Sequence, residues 1–259
     1  MSRASAVLSA LGATLGDLLG RRCHACGAAA PGRGRGELPP LCADCARELA
    51  PWAGPCCPGC GAMFRGATGG AGHLCAACRL EPRPWEQLLF HGPYQGLLRR
   101  LVLNYKFHGR LGALRLLRGL AREAWLLGDA AGAAPGAPAP PDVIVPVPLH
   151  RRRLLHRGFN QSLELARGLG ALLERPVPLA ALTRVRHTVP QATLDAARRR
   201  ENVRGAFAAE AGALAGRRVL LVDDVMTTGG TLEECARTMR RAGAAGVVVL
   251  VLARTADGR

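Results

Sequence analysis

VLLVDDVMTTGGTL, residues 219–232, runs four apolar residues into two adjacent carboxylates and then into a cluster of hydroxyls and glycines. Val219 to Val222 have the length and composition of a buried parallel strand. Asp223 and Asp224 then emerge at its carboxyl end, where open α/β sheets bind their ligands. Two neighbouring carboxylates repel unless a partner satisfies them. The vicinal hydroxyls of a ribose do so, one for each acid, and a divalent cation eases the remaining charge. Val225, Met226, Thr227, Thr228, Gly229, Gly230 and Thr231 follow, offering hydroxyls and bare backbone N–H groups at the start of a helix predicted near Thr231. Such a helix start seats a phosphate monoester. A diol on the acids and a phosphate on the turn together describe a ribose 5-phosphate. No Gly-Lys-Ser/Thr follows, which excludes a Walker-type loop, and the acids precede the glycines, which excludes a dinucleotide fingerprint.

The flanking sequence repeats the strand-then-helix order. DVIVPVPL (142–149) and AGVVVLVLART (245–255) read as further buried strands, and WEQLLFHGPY (85–94) as a strand and turn. GLLRRLVLNYKFHGR (96–110), ALRLLRGLAREAWLL (113–127) and SLELARGLGALLE (162–174) carry helical apolar spacing. The alternation predicts an α/β fold with a mostly parallel sheet and flanking helices over residues 85–259. GDAAGAAPGAPAPP (128–141) reads as a flexible insertion. HRRRLLHRGFNQS (150–162) reads as a basic loop before a helix, and residues 183–207 as a long Arg-rich loop without steady period.

Nine of the ten cysteines lie between Cys23 and Cys78. CHAC (Cys23, Cys26) is followed by CADC (Cys42, Cys45), then CPGC (Cys57, Cys60) by CAAC (Cys75, Cys78), one unit occurring twice at an offset of 33 to 34 residues. Two CxxC turns joined by a loop build the closed four-thiolate shell of structural zinc, so residues 23–80 are expected to form a double zinc ribbon holding two Zn²⁺. A disulfide scaffold and a redox CxxC fit less well, because the motif comes four times in paired loops. Cys56, His24 and His73 remain alternative ligands.

The chain has 259 residues, 35 Lys and Arg against 19 Asp and Glu, and a net charge of +16, a balance that favours anionic partners. Lys106 is the single lysine, a compact ammonium in a chain otherwise using arginine. No apolar stretch reaches the length of a membrane span. Residues 1–22 read as a short amphipathic helix, packed on its own domain or touching an interface or membrane. The expected location is the cytoplasm, with peripheral contact at the inner face of the membrane left open through that helix.

The run Val219 to Thr231 resembles the phosphoribosyl pyrophosphate (PRPP) signature of type I phosphoribosyltransferases. Taken with the doubled CxxC region, YKFHG (105–109), VPVPLHRRRLLHRGFNQ (145–161) and ENVRGAF (201–207), the chain resembles the ComF family. In that family a double zinc ribbon precedes a phosphoribosyltransferase-like domain, and some members assist DNA uptake in natural competence. The resemblance implies that Asp223 and Asp224 hold the ribose hydroxyls and that Thr227 to Thr231 hold the 5-phosphate. It also implies that residues 184–204, with Arg184, Arg186, Arg198 and Arg204, form a flexible loop that closes over the site. Lys106 and the Arg151 to Arg157 set, Arg151 and Arg157 foremost, are pyrophosphate partners by charge, and Mg²⁺ would accompany PRPP.

Three functions remain open on the sequence. One is a PRPP-binding transferase, whose acceptor no stretch identifies. Another is a non-catalytic accessory protein of DNA uptake that holds single-stranded DNA on its basic surface. With aromatics at 4% of residues, such binding would rest on phosphate contacts. In the third the zinc ribbon docks other proteins of DNA uptake and the rest is its scaffold.

Overall fold

A computed structural model describes residues 22–30, 38–64, 73–108, 111–132, 139–188 and 201–256. The expected N-terminal helix therefore lies outside the described residues, apart from Arg22. Helices α1 (Ala43–Glu48) and α2 (Ala76–Leu80) belong to the Cys-rich region. The sheet domain then runs β1 (Gln87–Pro93), α3 (Gly96–His108), α4 (Leu111–Gly132), β2 (Val143–Pro146), α5 (Arg151–Arg157), α6 (Gln161–Leu173), β3 (Leu182–Arg184), β4 (Phe207–Ala209), β5 (Arg218–Met226), α7 (Gly230–Arg241) and β6 (Gly246–Arg254).

Among the described residues β1, β6, β5 and β2 form one parallel sheet in that order, so β5 lies inside it. Strand alternation sorts the apolar side chains into two layers. Ile144, Leu220, Val222, Val248 and Leu250 face α4 and α6, packing on Leu116, Leu120, Leu165 and Leu169. Val143, Val219, Leu221, Val247 and Val249 face α7 through Leu232, Cys235, Ala236 and Met239. The two-sided burial explains why β5 and β6 read as unbroken apolar runs.

The Cys-rich region is built into these layers. Cys23, Leu38, Leu41, Cys45 and Leu49 join the α4 and α6 side of the core, whereas Cys57, Cys60 and Cys78 join Trp85 and Leu88 on the α7 side. Leu88 N donates to Pro58 O at 2.9 Å and Trp52 N to His91 O at 2.7 Å, so the Cys-rich region bonds the outer side of edge strand β1.

Three segments differ from the sequence reading. The stretch after His150 is a helix, α5, begun by the His150 side chain accepting from Arg152 N and ended by Gly158 in the left-handed region. The first residues of the Ala- and Gly-rich segment 128–141 continue α4 as far as Gly132, and residues 133–138 lie outside the described set. Gly128 is accommodated there because a Cβ at that position would lie 2.5 Å from Leu89 Cδ2. The Arg-rich loop is closed at its base by the antiparallel pair β3 and β4.

Candidate functional site

Asp223 and Asp224 lie among the last residues of β5, which runs on past Val222 to Met226 with Asp223 still opposite Val251 of β6, and they stand next to the Thr227–Thr231 turn that opens α7. Asp224 is buried and its Oδ2 accepts from Lys106 Nζ of α3 at 3.1 Å. Asp223 Oδ1 accepts from Ser162 Oγ of α6 at 2.7 Å and from the Asp224 backbone N–H at 2.9 Å. Burial and the adjoining Asp224 charge push the Asp223 carboxyl up to about 7, against the pull of Ser162, the Asp224 N–H and Lys106. The Asp224 charge raises Lys106 above its ordinary value. Paired carboxylates on a rigid strand end suit a hard divalent cation such as Mg²⁺ or a sugar diol.

The turn beyond them is held from behind, where Thr255 N donates to Met226 O at 3.0 Å. Gly229 caps α7 with φ +88° and supplies no side chain to the helix end. The first intrahelical bond into the cap carbonyl is Glu233 N to Gly229 O at 2.9 Å, which leaves the N–H groups of the preceding first-turn residues directed out of the helix end.

Cationic side chains gather on one flank. Arg153 and Arg157, four residues apart on α5, share a helix face, whereas Arg151 and Arg152 are exposed. Arg153 Nη2 donates to Thr188 O at 3.1 Å, Arg184 Nη2 to Thr188 Oγ1 at 2.5 Å, and Arg157 Nη1 to Gln161 Oε1 at 2.9 Å. Burial lowers all three guanidinium groups, Arg153 lowers the other two further, and Asp224 opposes the fall at Arg157. Lys106, Arg157 and Arg184 of the predicted cations thus lie within electrostatic reach of the acid pair, and Arg151 is exposed. Arg186 instead donates to the carbonyls of Asn202 and Arg204 at 3.1 and 2.6 Å, with Arg204 exposed. Arg198 lies outside the described residues. Sequence reasoning missed Ser162, which nothing but its place at a helix start signals. Arg153 belongs to the Arg151 to Arg157 set that charge singles out, and its four-residue spacing from Arg157 puts the two on one helix face.

The two thiol clusters are Cys23, Cys26, Cys42 and Cys45, and Cys57, Cys60, Cys75 and Cys78, with the sulfurs of each lying within 4.8 Å of one another. Cys26 Sγ and Cys42 Sγ stand 3.7 Å apart, and Cys60 Sγ and Cys75 Sγ 3.6 Å. Four sulfurs about 2.3 Å from one tetrahedral zinc would be about 3.8 Å apart, so the donor sets fit the ion. Gly27 and Gly61, at φ +80° and +67°, follow the first CxxC of each unit, and their N–H groups bond back to Cys23 O and Cys57 O. Burial raises the Cys23 and Cys57 thiols, yet backbone N–H groups outweigh it and bring them to about 6 and about 7, favouring the ligating thiolate. Neither cluster includes Cys56, His24 or His73. Cys56 pairs through its backbone with Met63 in an isolated antiparallel β-bridge, His73 stacks on Phe64, and His24 is exposed.

A parallel sheet ending in an acid pair and a glycine turn, with paired four-thiol clusters on its edge, defines a phosphoribosyltransferase-type domain carrying a double zinc ribbon. The comparisons agree in both halves. A phosphoribosyl transferase domain model matches residues 155–259, and a double zinc ribbon domain model matches residues 15–79. The chain is 37% identical over 218 residues to DNA utilization protein YhgH of Salmonella typhi, covering 83% of this chain and 90% of that one. It is 33% identical over 216 residues to competence protein F of Haemophilus influenzae, with the same coverage, 83% and 90%. Among solved structures it is similar to glutamine PRPP amidotransferase from B. subtilis complexed with ADP and GMP, at 24% identity, TM-score 0.35, covering 57% of this chain and 30% of that one. The chain belongs to the ComF family of YhgH and competence protein F.

Proposed function

We propose that the sheet domain binds PRPP with Mg²⁺ and that it serves the use of DNA for which its relatives are named. The observation that carries this reading is the adjacency of Asp223 and Asp224 to the uncapped turn at Gly229. Asp223 and Asp224 take the ribose hydroxyls and the cation, and Thr227 to Thr231 take the 5-phosphate. Lys106, Arg153, Arg157 and Arg184 take the pyrophosphate by charge and position.

These groups suit displacement of pyrophosphate at the anomeric carbon. The C1–O bond breaks with its electron pair leaving on pyrophosphate, whose charge the fixed cations absorb. A nucleophilic acceptor forms the new bond to C1. Pyrophosphate release from PRPP, screened against nucleobases and amines, tests the transfer. Release that rises with one acceptor supports it, and binding of PRPP without release under any acceptor reduces the domain to a binding module.

Arg151 and Arg152 on α5 and Arg186 and Arg204 beside the β3–β4 pair are exposed, which favours a second reading, single-stranded DNA held on this flank. His150 of this helix start and His187 of the loop stand 5.0 Å apart, bringing the two segments together. Affinity resting on phosphate contacts falls steeply between low and moderate salt, and a flat salt response would contradict this reading.

A further inference from the structure

The helix start that is to receive a phosphate holds a buried carboxylate of its own. Glu233 lies in the first turn of α7, its side chain 3% exposed. Its Oε1 is 3.7 Å from the point a Cβ would occupy on Gly229, the hinge of the turn. An anion in that place competes with an incoming phosphate for the same positive helix end. Its charge is met by Arg83, which reaches from the segment behind the second thiol cluster and pairs with Oε1. Arg237, half-exposed, stands 3.6 Å from Oε2, which has no hydrogen-bond partner among the described residues. Arg83 also lies against the Cys78 thiol of the ribbon and 6.0 Å from the centroid of the Trp85 ring, so the ribbon contributes to holding it in place.

We infer that Arg83 is a positioning residue for the phosphate site: by neutralising the buried Glu233 carboxylate beneath Gly229, it keeps the start of α7 receptive to an anion. The inference rests on the ribose-phosphate reading above. It gives the second ribbon a role in ligand binding, because Arg83 follows the ribbon's last ligand, Cys78, and lies against its thiol. A purely structural Arg83–Glu233 pair would be damaged by loss of either partner. A charge-setting pair responds in opposite directions.

The test is calorimetric titration of the full chain with ribose 5-phosphate, using wild type, Glu233→Gln, Arg83→Met and the double variant. Glu233→Gln removes the competing negative charge and leaves Arg83 in place, so it is expected to bind roughly threefold more tightly or better. Arg83→Met is expected to weaken binding roughly tenfold, and the double variant to return within roughly twofold of wild type. Bound zinc is measured on each variant to confirm that the ribbon is intact. Should Arg83→Met fail to fold, Glu233→Gln alone decides: unchanged or weaker binding overturns the inference. Wild-type binding with no gain in Glu233→Gln overturns it alone. No binding by wild type overturns the ribose-phosphate reading and this inference with it.

Discussion

Lys106 Nζ meets Asp224 Oδ2 at 3.1 Å across 118 residues of sequence, joining the end of α3 to the end of β5. The only lysine of the chain therefore stands against the more buried acid of the pair. It holds the negative charge of Asp224, and on the proposed ribose-phosphate reading a cation or diol entering there would have to share or displace that contact. Lys106→Met is expected to cost about 2 kcal/mol of stability, less than for a fully buried pair because the ammonium is partly exposed. Mg²⁺ is expected to restore more stability to this variant than to wild type, since it supplies the missing charge. Denaturant unfolding with and without Mg²⁺ checks both, and identical shifts in the two proteins would contradict the role given to Lys106.

The Asp223 carboxyl, pushed up to about 7 from 3.8, sets a pH dependence. The folded state holds this proton more tightly than the unfolded state, so the contribution to stability is complete below about pH 4 and is lost as pH rises through about 7. Asp223→Asn is expected to flatten that part of the profile and to exceed wild type in stability at pH 8. On the proposed reading the ligand and Mg²⁺ would need the ionised form, so wild-type affinity is expected to rise between pH 6 and 8. Denaturation midpoints and titrations across that range measure the two slopes. The opposite sign in either would remove Asp223 from the site.

Gly229 holds φ +88°, and a Cβ there would lie 2.7 Å from Met226 Cε. Gly229→Ala is expected to cost about 1–2 kcal/mol, the cost of a left-handed alanine, and to weaken ribose 5-phosphate binding by disturbing the turn. Thermal unfolding and titration of the variant check the two effects together.

Chelation is expected to release two zinc ions per chain and to loosen the sheet domain as well as the ribbon. Cys23 and Cys45 pack in one core layer, and Cys57, Cys60 and Cys78 in the other. Structural zinc contributes on the order of 10 kcal/mol per site, which both layers would lose. Hydrogen exchange should quicken along β1, whose outer edge the ribbon bonds. A chelated chain with β1 protection unchanged would contradict the integral role of the ribbon.

The legible parts of the sequence are those in which one local rule acts alone. The buried strands β5 and β6 declare themselves as apolar runs, the zinc ligands by CxxC spacing, and the acid pair by interrupting an apolar run just before a glycine turn, although β5 itself continues through the pair to Met226. Helix α5 was hidden because its arginines read as a loop and its cap, His150, is not among the usual helix starters, although Gly158 is an ordinary stop residue. The end of α4 was hidden by Gly128, whose reason is tertiary, the approach to Leu89. The bonds from Ser162 to Asp223 and from Arg83 to Glu233 span 61 and 150 residues, and no local pattern encodes a partner so far away.

The central claim, that Asp223 and Asp224 grip a ribose whose phosphate sits on the Gly229 turn, is tested most directly by calorimetry of PRPP with Mg²⁺ against wild type and the Asp223→Asn, Asp224→Asn double variant. Wild type is expected to bind, and the double variant, folded and with its zinc intact, to lose binding by roughly a hundredfold or more, two charge-assisted contacts being removed. Equal affinity in the two proteins would contradict the account.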